Sequence, residues 1–323
     1  MNGKLISIVV PVKDESAAIP IFFKETNKVL HKIERERGLS FEYIFVDDGS
    51  ADDTLEQLEA AARQDSFVRV VSLSRNFGKE IAMTAGLEMA TGDAIIFMDI
   101  DLQDPPALIE DFVNKWHEGY DVVYGYRQDR WGDSLVKRLT AKIYLRLFNS
   151  ISTVSLPEGG GDYRIIDRRV ANALKQVPER NRFMKGLFAW VGFKTARVPY
   201  SRAGRSSGSS SWNYWKLWNF GLDGLTGFSD FPLRIWLYVG AVVFVSAVTM
   251  ALLIVVQKLV FGIDIEGYTS LIVAVLLFGG IQLLVLGVLG EYLGRVLVEV
   301  KNRPLYLIDK AVGFEDRNNQ EKT

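Results

Sequence analysis

Two long apolar segments near the C-terminal end constrain the fold of this chain more than any other feature. Residues 235–256 carry no charged side chain, and residues 271–290 contain Gln282 as their one strongly polar member. Each segment has the roughly 20 apolar residues that an α-helix needs to cross a bilayer. The alternative is a buried hairpin in a water-soluble core, and two such runs in tandem argue against it. The sequence therefore predicts two transmembrane helices.

The charges that flank these segments predict their orientation. The connection FGIDIEGYTS holds Asp264 and Glu266 and has no Lys or Arg. Basic residues stand before the first segment and after the second, namely Arg234, Arg295, Lys301, Arg303 and Lys310. Because the cytoplasmic flanks of membrane helices are enriched in Lys and Arg, we expect both ends of the hairpin in the cytoplasm. The part of the chain that precedes the hairpin is then expected there too.

That N-terminal part alternates short apolar runs with helical patterns. The strand-like runs are 5–12, 42–47, 68–73, 94–99 and 121–126, and the helical stretches are 17–37, 52–65, 79–90 and 106–118. Continuous apolar strands separated by helices are typical of a parallel sheet that is covered on both faces. We therefore predict an open α/β sheet, in which ligands bind beyond the carboxyl ends of the strands.

The chain divides into four parts. The α/β core spans 1–126, a less regular region spans 127–230, the hairpin spans 231–300, and a cytoplasmic tail spans 301–323. The second part holds a basic helical stretch at 134–148, an aromatic-rich stretch at 212–231, and no Asp or Glu from Arg180 to Lys216. Such basic and aromatic surfaces suit the headgroup region of a membrane. A packed core helix and an ordinary solvated face are the alternatives.

The composition excludes several kinds of chemistry. A formal net charge of -1 gives no case for nucleic-acid binding. The chain has no cysteine, which rules out a thiol nucleophile and a thiolate zinc site. Its two histidines, His31 and His117, lie on charged helical stretches, so no Ser-His-Asp or Cys-His arrangement is indicated.

Acidic residues follow three of the predicted strands. The sequences are PVKDE at 11–15, DDGS at 47–50 and DID at 99–101. Asp99 and Asp101 are hard oxygen ligands, and Mg²⁺ or Mn²⁺ that completes its shell from phosphates and water would suit a nucleoside diphosphate. By itself the D-x-D pattern is equally well read as a solvated loop, and DDGS as a helix cap. Three acidic strand ends on one edge of a sheet favour a binding site.

Longer blocks resemble the polyisoprenyl-phosphate branch of glycosyltransferase family 2. They are RNFGKEIAMTAGLEMATGDAIIFMDIDLQDPP, GDYRIIDRRV, PERNRFMKGLFAWVGFKT, WKLWNFGLDGLTGFSDFPLR and GVLGEYLGRV. The resemblance covers nearly the whole chain. Within this branch, the blocks are most similar to those of the bactoprenol glucosyltransferases, which are related to dolichyl-phosphate mannose synthases. It implies a GT-A α/β fold that binds a nucleotide sugar, interfacial helices and a C-terminal two-helix transmembrane hairpin.

The resemblance also implies roles for individual residues on the donor side. Asp99 and Asp101 would bind the metal and through it the diphosphate, with Gln103 close by. The nucleoside pocket would be lined by Pro11, Val12, Glu15 and Asp48. Arg205 would reach the donor diphosphate, although Ser211 stands where the family often has Lys, which puts the closure of that loop in question.

On the acceptor side, the resemblance places Arg127 and Arg138 where the mannose synthases bind the acceptor phosphate. Asp101 and Asp162 would be the catalytic carboxylates, and Asp162 lies in the GDYR block. Ala141 stands near a position that often carries serine in the mannose synthases. A lipid phosphate is already an anion at neutral pH and needs little help from a general base.

The implied activity is the metal-dependent, inverting transfer of one hexose, glucose from UDP-glucose, to undecaprenyl phosphate. It would take place on the cytoplasmic leaflet of the bacterial inner membrane. The resemblance further implies self-association, for example as a tetramer, and a lipid-glucose flippase and a downstream glucosyltransferase as partners. The alternatives are another sugar (mannose, N-acetylglucosamine or an aminoarabinose), a processive polysaccharide synthase, and a non-catalytic nucleotide-sugar sensor. Gln128-Asp129-Arg130-Trp131 is one residue short of the Q-x-x-R-W motif of processive synthases.

Overall fold

The computed structural model describes residues 3–128, 135–157, 159–180, 182–201, 227–229, 231–261 and 267–314. Its strands are β1 Leu5–Val12, β2 Ser40–Asp47, β3 Val68–Leu73, β4 Ala94–Phe97, β5 Val122–Arg127, β6 Gly160–Asp167, β7 Thr195–Tyr200 and β8 Ile308–Val312. Its helices are α1 Ile19–Arg37, α2 Thr54–Gln64, α3 Lys79–Met89, α4 Leu108–His117, α5 Leu135–Ile151, α6 Arg168–Lys175, α7 Met184–Trp190, α8 Phe231–Phe261 and α9 Tyr268–Val300.

The strands form one mixed sheet in the order β7-β5-β6-β4-β1-β2-β3-β8. Strands β1 to β4 are parallel neighbours, as the alternating pattern predicts. The five strands that the sequence predicts run in the same direction, but the whole sheet is mixed, because β6 runs antiparallel to both β4 and β5, and β8 runs antiparallel to β3. The sheet also continues past residue 126, since β6 and β7 extend it beyond β5.

Apolar side chains of the strands pack alternately against the two faces of the sheet. Ile8 is buried in a cluster that includes Phe22 of α1 and Phe112 of α4. Its neighbour Val9 is buried in the opposite cluster with Met83 of α3 and Leu187 of α7. Because both faces are covered, the strands are apolar without a polar alternation, which is why their sequences are continuous apolar runs.

On helices α8 and α9, most of the apolar side chains that the structure describes are exposed. α8 has 31 residues and α9 has 33. Among the described residues, one stretch is long and apolar enough to cross a membrane by length and composition, Leu277–Val300, and Tyr238–Met250 is a shorter apolar stretch. Side chains such as Leu283 and Val242 are more than 60% exposed. An unpaired apolar surface of this size calls for an apolar surrounding.

The predicted tail contains a strand. Residues Ile308–Val312 form β8, in which Val312 pairs with Val70 and Ile308 with Leu73 of β3. The Lys310 ammonium forms an ion pair with Glu59 of α2. The sequence did not indicate β8 because its five residues, IDKAV, include two charged side chains and stay mostly exposed. Its order comes from pairing with β3 and not from an apolar run of its own.

Candidate active site

The register of the sheet brings carboxylates from distant segments to one edge. Phe97 of β4 is paired with Arg164 of the antiparallel strand β6. Two residues beyond Phe97 comes Asp99, and two residues before Arg164 comes Asp162, so both lie at the same edge. The ends of β1 and β2 meet this edge as well, because Val12 is paired with Asp47. The antiparallel pairing of β6 with β4 thus brings Asp162 and Asp99 to the same edge.

Lys79 joins the two strands at this edge. Its ammonium lies 2.7 Å from Oδ1 and from Oδ2 of Asp99 and 3.0 Å from Oδ2 of Asp162. Lys185 of α7 lies 3.5 Å from the other Asp162 oxygen. Lys79 is the first residue of α3 and follows Gly78, whose φ of 100° turns the chain from the loop into the helix. The site therefore alternates positive and negative groups.

These contacts set the ionisation of the cluster. Burial would raise the pKa of Asp162, but Lys185 and Lys79 outweigh it and hold that pKa far below its usual value. Burial raises the pKa of Asp99, and Lys79 offsets this only in part. Burial and the nearby Asp162 raise the pKa of Glu80 to about 7. Burial would lower the pKa of Lys79, whereas Asp162 and Asp99 raise it, so Lys79 is a permanent cation at neutral pH.

Asp101 is positioned by its own turn. The side-chain amide of Gln103 donates to one oxygen of Asp101, and the Gln103 backbone N–H donates to the other at 3.2 Å. Leu102, between them, has a φ of 51°, which closes the turn. Gln103 is buried, so its amide holds the Asp101 carboxylate in a fixed orientation.

Asp48 is directed into the protein at the end of β2. One oxygen accepts a hydrogen bond from the backbone N–H of Phe77 at 2.6 Å, and the other accepts from Gly78 at 2.9 Å. These bonds hold the loop that leads into Lys79. Burial raises the pKa of Asp48, which the two N–H donors partly offset. Asp48 therefore orients the loop, and its predicted contact with the nucleoside stays a prediction.

The end of β1 forms a wall of the same edge. The backbone N–H of Asp14 donates to Ser50 Oγ at 2.9 Å, and that of Glu15 donates to Thr54 Oγ1 at 2.8 Å. Pro11 is half-buried and Val12 is buried. These segments lie together as the acidic strand ends predict, and their roles in nucleoside binding stay predictions.

Arg127 lies at the end of β5 beside the same edge. Its Nε donates to the hydroxyl of Tyr200 at 3.0 Å, and its Nη2 lies 3.6 Å from Asp104. Tyr200 in turn donates to Asp104. Burial would lower the pKa of Arg127, but Asp104 raises it. The guanidinium is thus held on an acid–tyrosine pair.

The side chains of two predicted arginines, Arg138 and Arg205, lie outside the part of the chain that the structure describes. Arg138 belongs to α5, but its side chain lies outside the described residues, and Arg205 lies outside them altogether, as does Ser211. Their predicted roles stay predictions.

Comparison with known proteins gives matches over most of the chain. Residues 7–174 match the family model described as glycosyl transferase family 2, which is more than half of the chain. The chain belongs to glycosyl transferase family 2. It is therefore a glycosyltransferase, and its fold is the GT-A-like α/β fold that the sequence predicts, with a mixed sheet. Residues 231–296 match a second model, the GtrB C-terminal hairpin, which covers α8 and most of α9.

Several relatives within family 2 align over nearly their full length. The chain is 46% identical to the bactoprenol glucosyl transferase of Shigella phage SfII, over 95% of this chain and 98% of the relative. It is 46% identical to a prophage bactoprenol glucosyl transferase homolog of Escherichia coli K12, over 95% and 99%. An uncharacterised glycosyltransferase of Synechocystis is also 46% identical, over 96% of each chain.

Solved structures are more distant. The mannosyl-3-phosphoglycerate synthase of Rubrobacter xylanophilus is 20% identical, with a TM-score of 0.48 over 68% of this chain and 71% of that one. The glucosyl-3-phosphoglycerate synthase of Mycobacterium tuberculosis, in complex with Mn²⁺, UDP-glucose and phosphoglyceric acid, is 22% identical, with a TM-score of 0.44 over 68% and 77%.

The donor atoms of this family 2 site fit a hard divalent cation. Asp99 and Asp101 offer carboxylate oxygens, and the ammonium of Lys79 already lies against Asp99 as a cation would. The described residues contain no group of three or more His, Cys, Asp or Glu side chains arranged for a metal. A pair of carboxylates with substrate phosphates and water is the usual way of binding Mg²⁺ or Mn²⁺ beside a diphosphate.

Sequence reasoning missed the cationic part of the site. The sequence pattern places Lys79 only at the start of the predicted helical stretch 79–90, and it indicates no role for Lys185 or Glu80. Arg164 is buried, donates to the carbonyl oxygen of Gly161 at 2.6 Å and lies 3.9 Å from the ring centre of Phe188. Burial lowers the pKa of Arg164 to about 10. The available signal was the position of Lys79, at a helix start that follows the parallel strand β3 after a loop of residues 74–78.

Proposed function

We propose that this family 2 enzyme transfers one glucose from UDP-glucose to undecaprenyl phosphate and inverts the anomeric centre. The proposal is supported above all by the 46% identity to bactoprenol glucosyl transferases over 95% of the chain, which spans the carboxylate edge and the hairpin together. A soluble acceptor would leave the apolar surfaces of α8 and α9 without a purpose. Transfer of a different hexose to the same lipid phosphate is the main alternative.

The residues at the edge have distinct tasks in this reaction. Asp99 and Asp101 would hold Mg²⁺ or Mn²⁺, which would supply positive charge to the leaving nucleoside diphosphate. Pro11, Val12, Glu15 and Asp48 would form the nucleoside side of the site. Arg205 would bind the donor diphosphate. Such charge-assisted contacts are strong where water is partly excluded.

The acceptor side needs positioning and not a strong base. Asp162 is held as a carboxylate by Lys185 and Lys79, and its lowered pKa makes it a weak base. A lipid phosphate is itself anionic, so it can attack the anomeric carbon without losing a proton in that step. Arg127 and Arg138 would neutralise its charge as it approaches the anionic donor. A single displacement then gives a β-linked product from an α-linked donor.

The path of the chain supports a hairpin with both ends on one side of the membrane. α8 follows the α/β domain, and after α9 the chain returns to the same sheet as β8. The Tyr292 hydroxyl of α9 donates to the carbonyl oxygen of Ser229 at 3.0 Å, which ties the two hairpin ends together. With the basic flanks, this supports a multi-pass protein of the bacterial inner membrane with its catalytic domain in the cytoplasm. Assembly into an oligomer such as a tetramer, and action with a lipid-glucose flippase and a downstream glucosyltransferase, are part of the proposal.

A panel of nucleotide sugars tests the proposal. Purified protein with undecaprenyl phosphate and Mn²⁺ or Mg²⁺ is expected to move label from UDP-glucose into an organic-extractable, mild-acid-labile lipid. Asp101→Asn is expected to lower that rate at least about 100-fold, since a transition-state charge contact is lost. Asp111→Asn, on the exposed face of α4, is the matched control. Label in the lipid from another sugar only would replace glucose in the proposal, and no labelled lipid from any sugar would overturn it.

A further inference from the structure

The ammonium of Lys79 lies against both carboxylate oxygens of Asp99, the atoms that would bind a metal ion. It is 2.7 Å from both carboxylate oxygens, so it approaches the carboxylate along the direction of a bidentate ligand. The Lys79 side chain is about one-third exposed, at 38%, and that of Asp162 is 22% exposed, so the pair is screened only in part from water. A lysine that was only a helix-start residue would extend into solvent.

Asp162 offers the Lys79 ammonium a second carboxylate to pair with when a metal ion binds Asp99. The ammonium is also 3.0 Å from Asp162, and this distance does not involve Asp99. A divalent ion at Asp99 would repel the ammonium, which can then stay on Asp162. An ion that arrives alone meets this repulsion in full. An ion that arrives with a nucleoside diphosphate brings negative charge that offsets it.

We propose that Lys79 is a positioning residue that acts through Asp99 by competing with the divalent ion, so that the ion binds tightly only together with the nucleoside diphosphate. This inference rests on the proposed use of a metal by the site. It makes the binding of ion and donor mutually dependent, and such coupling is reciprocal between the two ligands. The enzyme without a bound nucleoside diphosphate then does not bind the divalent ion tightly.

Binding of Mn²⁺ to the purified full-length protein tests this without turnover. The free ion is followed by electron paramagnetic resonance, with and without UDP. Wild-type protein is expected to bind Mn²⁺ weakly alone and about tenfold more tightly with UDP, a typical coupling between sites. Lys79→Met is expected to bind Mn²⁺ alone about tenfold more tightly than wild type, and to gain less from UDP than wild type does, since the UDP phosphates still ligate the ion but no longer offset a nearby ammonium. Unchanged or weaker binding of Mn²⁺ alone by Lys79→Met would overturn the proposal.

Three further variants separate competition from other effects. Lys79→Arg keeps the positive charge and is expected to bind Mn²⁺ alone as weakly as wild type. Lys185→Met removes a charge that faces Asp162 at 3.5 Å and is expected to change Mn²⁺ affinity by less than about threefold. Lys32→Met breaks an exposed 2.8 Å ion pair with Glu110 and should have no effect. An equal gain in Lys185→Met and Lys79→Met would contradict the proposal, because net charge alone would then explain it.

Folding and function are controlled separately. The melting temperature of each variant reports its fold, and Lys79→Gln replaces Lys79→Met if the latter does not fold. The titrations use neither lipid nor sugar. Coupled binding of Mn²⁺ and UDP without any lipid product would therefore overturn the proposed glucosyl transfer and leave the role of Lys79 standing. Formation of the lipid product, without any coupling between the binding of Mn²⁺ and of UDP, would overturn the role of Lys79 and leave the proposed glucosyl transfer standing.

Discussion

The backbone N–H of Ser74 donates a hydrogen bond to the carbonyl oxygen of Leu307 at 2.9 Å. This bond joins the end of β3, where the loop to Lys79 begins, to the segment that returns from the membrane hairpin. The contacts continue along the same segment, since the Tyr306 hydroxyl donates to Glu88 and the guanidinium of Arg69 lies 5.5 Å from the ring centre of Phe314. The C-terminal segment is therefore a structural part of the catalytic domain.

Removal of this segment should destabilise the domain. A chain that ends after Arg303 loses β8 and exposes the edge of β3. We expect its apparent melting temperature in detergent to fall by about 5 °C or more, since several hydrogen bonds and an ion pair are lost. A chain that ends after Phe314 keeps β8 and serves as the control. Equal melting temperatures for the two truncations would show that β8 adds no stability.

The amide of Gln103 should matter for metal use. Gln103→Leu removes the donor that orients the Asp101 carboxylate. The Mn²⁺ concentration for half-maximal transfer is expected to rise about tenfold, while the rate at saturating Mn²⁺ stays close to that of wild type. Gln64→Leu, at the exposed end of α2, is the control. An unchanged Mn²⁺ requirement would mean that Asp101 does not depend on Gln103.

Glu80 should make stability depend on pH. Burial and Asp162 raise its pKa in the folded protein to about 7, above the 4.5 of the unfolded chain. Between these values the folded state binds a proton that the unfolded state releases, so its contribution to stability falls as the pH rises from about 4.5 to 7 and is fully lost above that.

Glu80→Gln removes this pH-dependent loss and still offers an oxygen to the Met184 N–H, which donates to Glu80 at 3.2 Å. We therefore expect it to melt at least about 3 °C above wild type at high pH, with the gain shrinking at low pH. Thermal unfolding at both ends of that range measures the difference, and Glu56→Gln on the exposed side of α2 controls for the substitution. A gain that is the same at both pH values would rule out the ionisation of Glu80 as its cause.

Gly86 allows α3 to lie directly on β1. A Cβ at this position would lie 2.3 Å from Cγ1 of Val9, which is fully buried. Gly86→Ala is expected to lower the free energy of unfolding by about 1–3 kcal/mol, because the core is overpacked. Gly240→Ala is the control, since its Cβ would meet no described atom within 4 Å. Equal stability of Gly86→Ala and wild type, by chemical unfolding, would show that α3 can shift without cost.

The sequence was most informative where a segment is buried on its own account. β1 and β3 were predicted at 5–12 and 68–73, and they span Leu5–Val12 and Val68–Leu73. The run at 94–99 was predicted two residues too long, because β4 ends at Phe97 and the next residues turn toward the site. In this domain, a continuous apolar run predicts a strand that is covered on both faces of the sheet.

Strands and contacts that depend on a partner were harder to predict. β6 lies in the region 127–230, whose sequence has no regular pattern, and only its pairing with β4 makes it a central strand. The contacts of Lys79 follow from that pairing, because the antiparallel strand β6 brings Asp162 to Asp99. No local sequence pattern predicts that β6 pairs with β4. The aspartates at the strand ends could be found from the sequence, whereas the cation between them required the topology.

The chemical identity of the lipid product tests the proposed transfer. The enzyme is incubated with UDP-glucose, undecaprenyl phosphate and Mn²⁺, and the extracted lipid is analysed by mass spectrometry and by NMR of its anomeric proton. We predict a lipid phosphate that carries a single glucose in β linkage, formed together with one equivalent of UDP. An α-linked sugar, a polymer, or UDP release without a sugar-bearing lipid would contradict a single inverting displacement at the carboxylate edge.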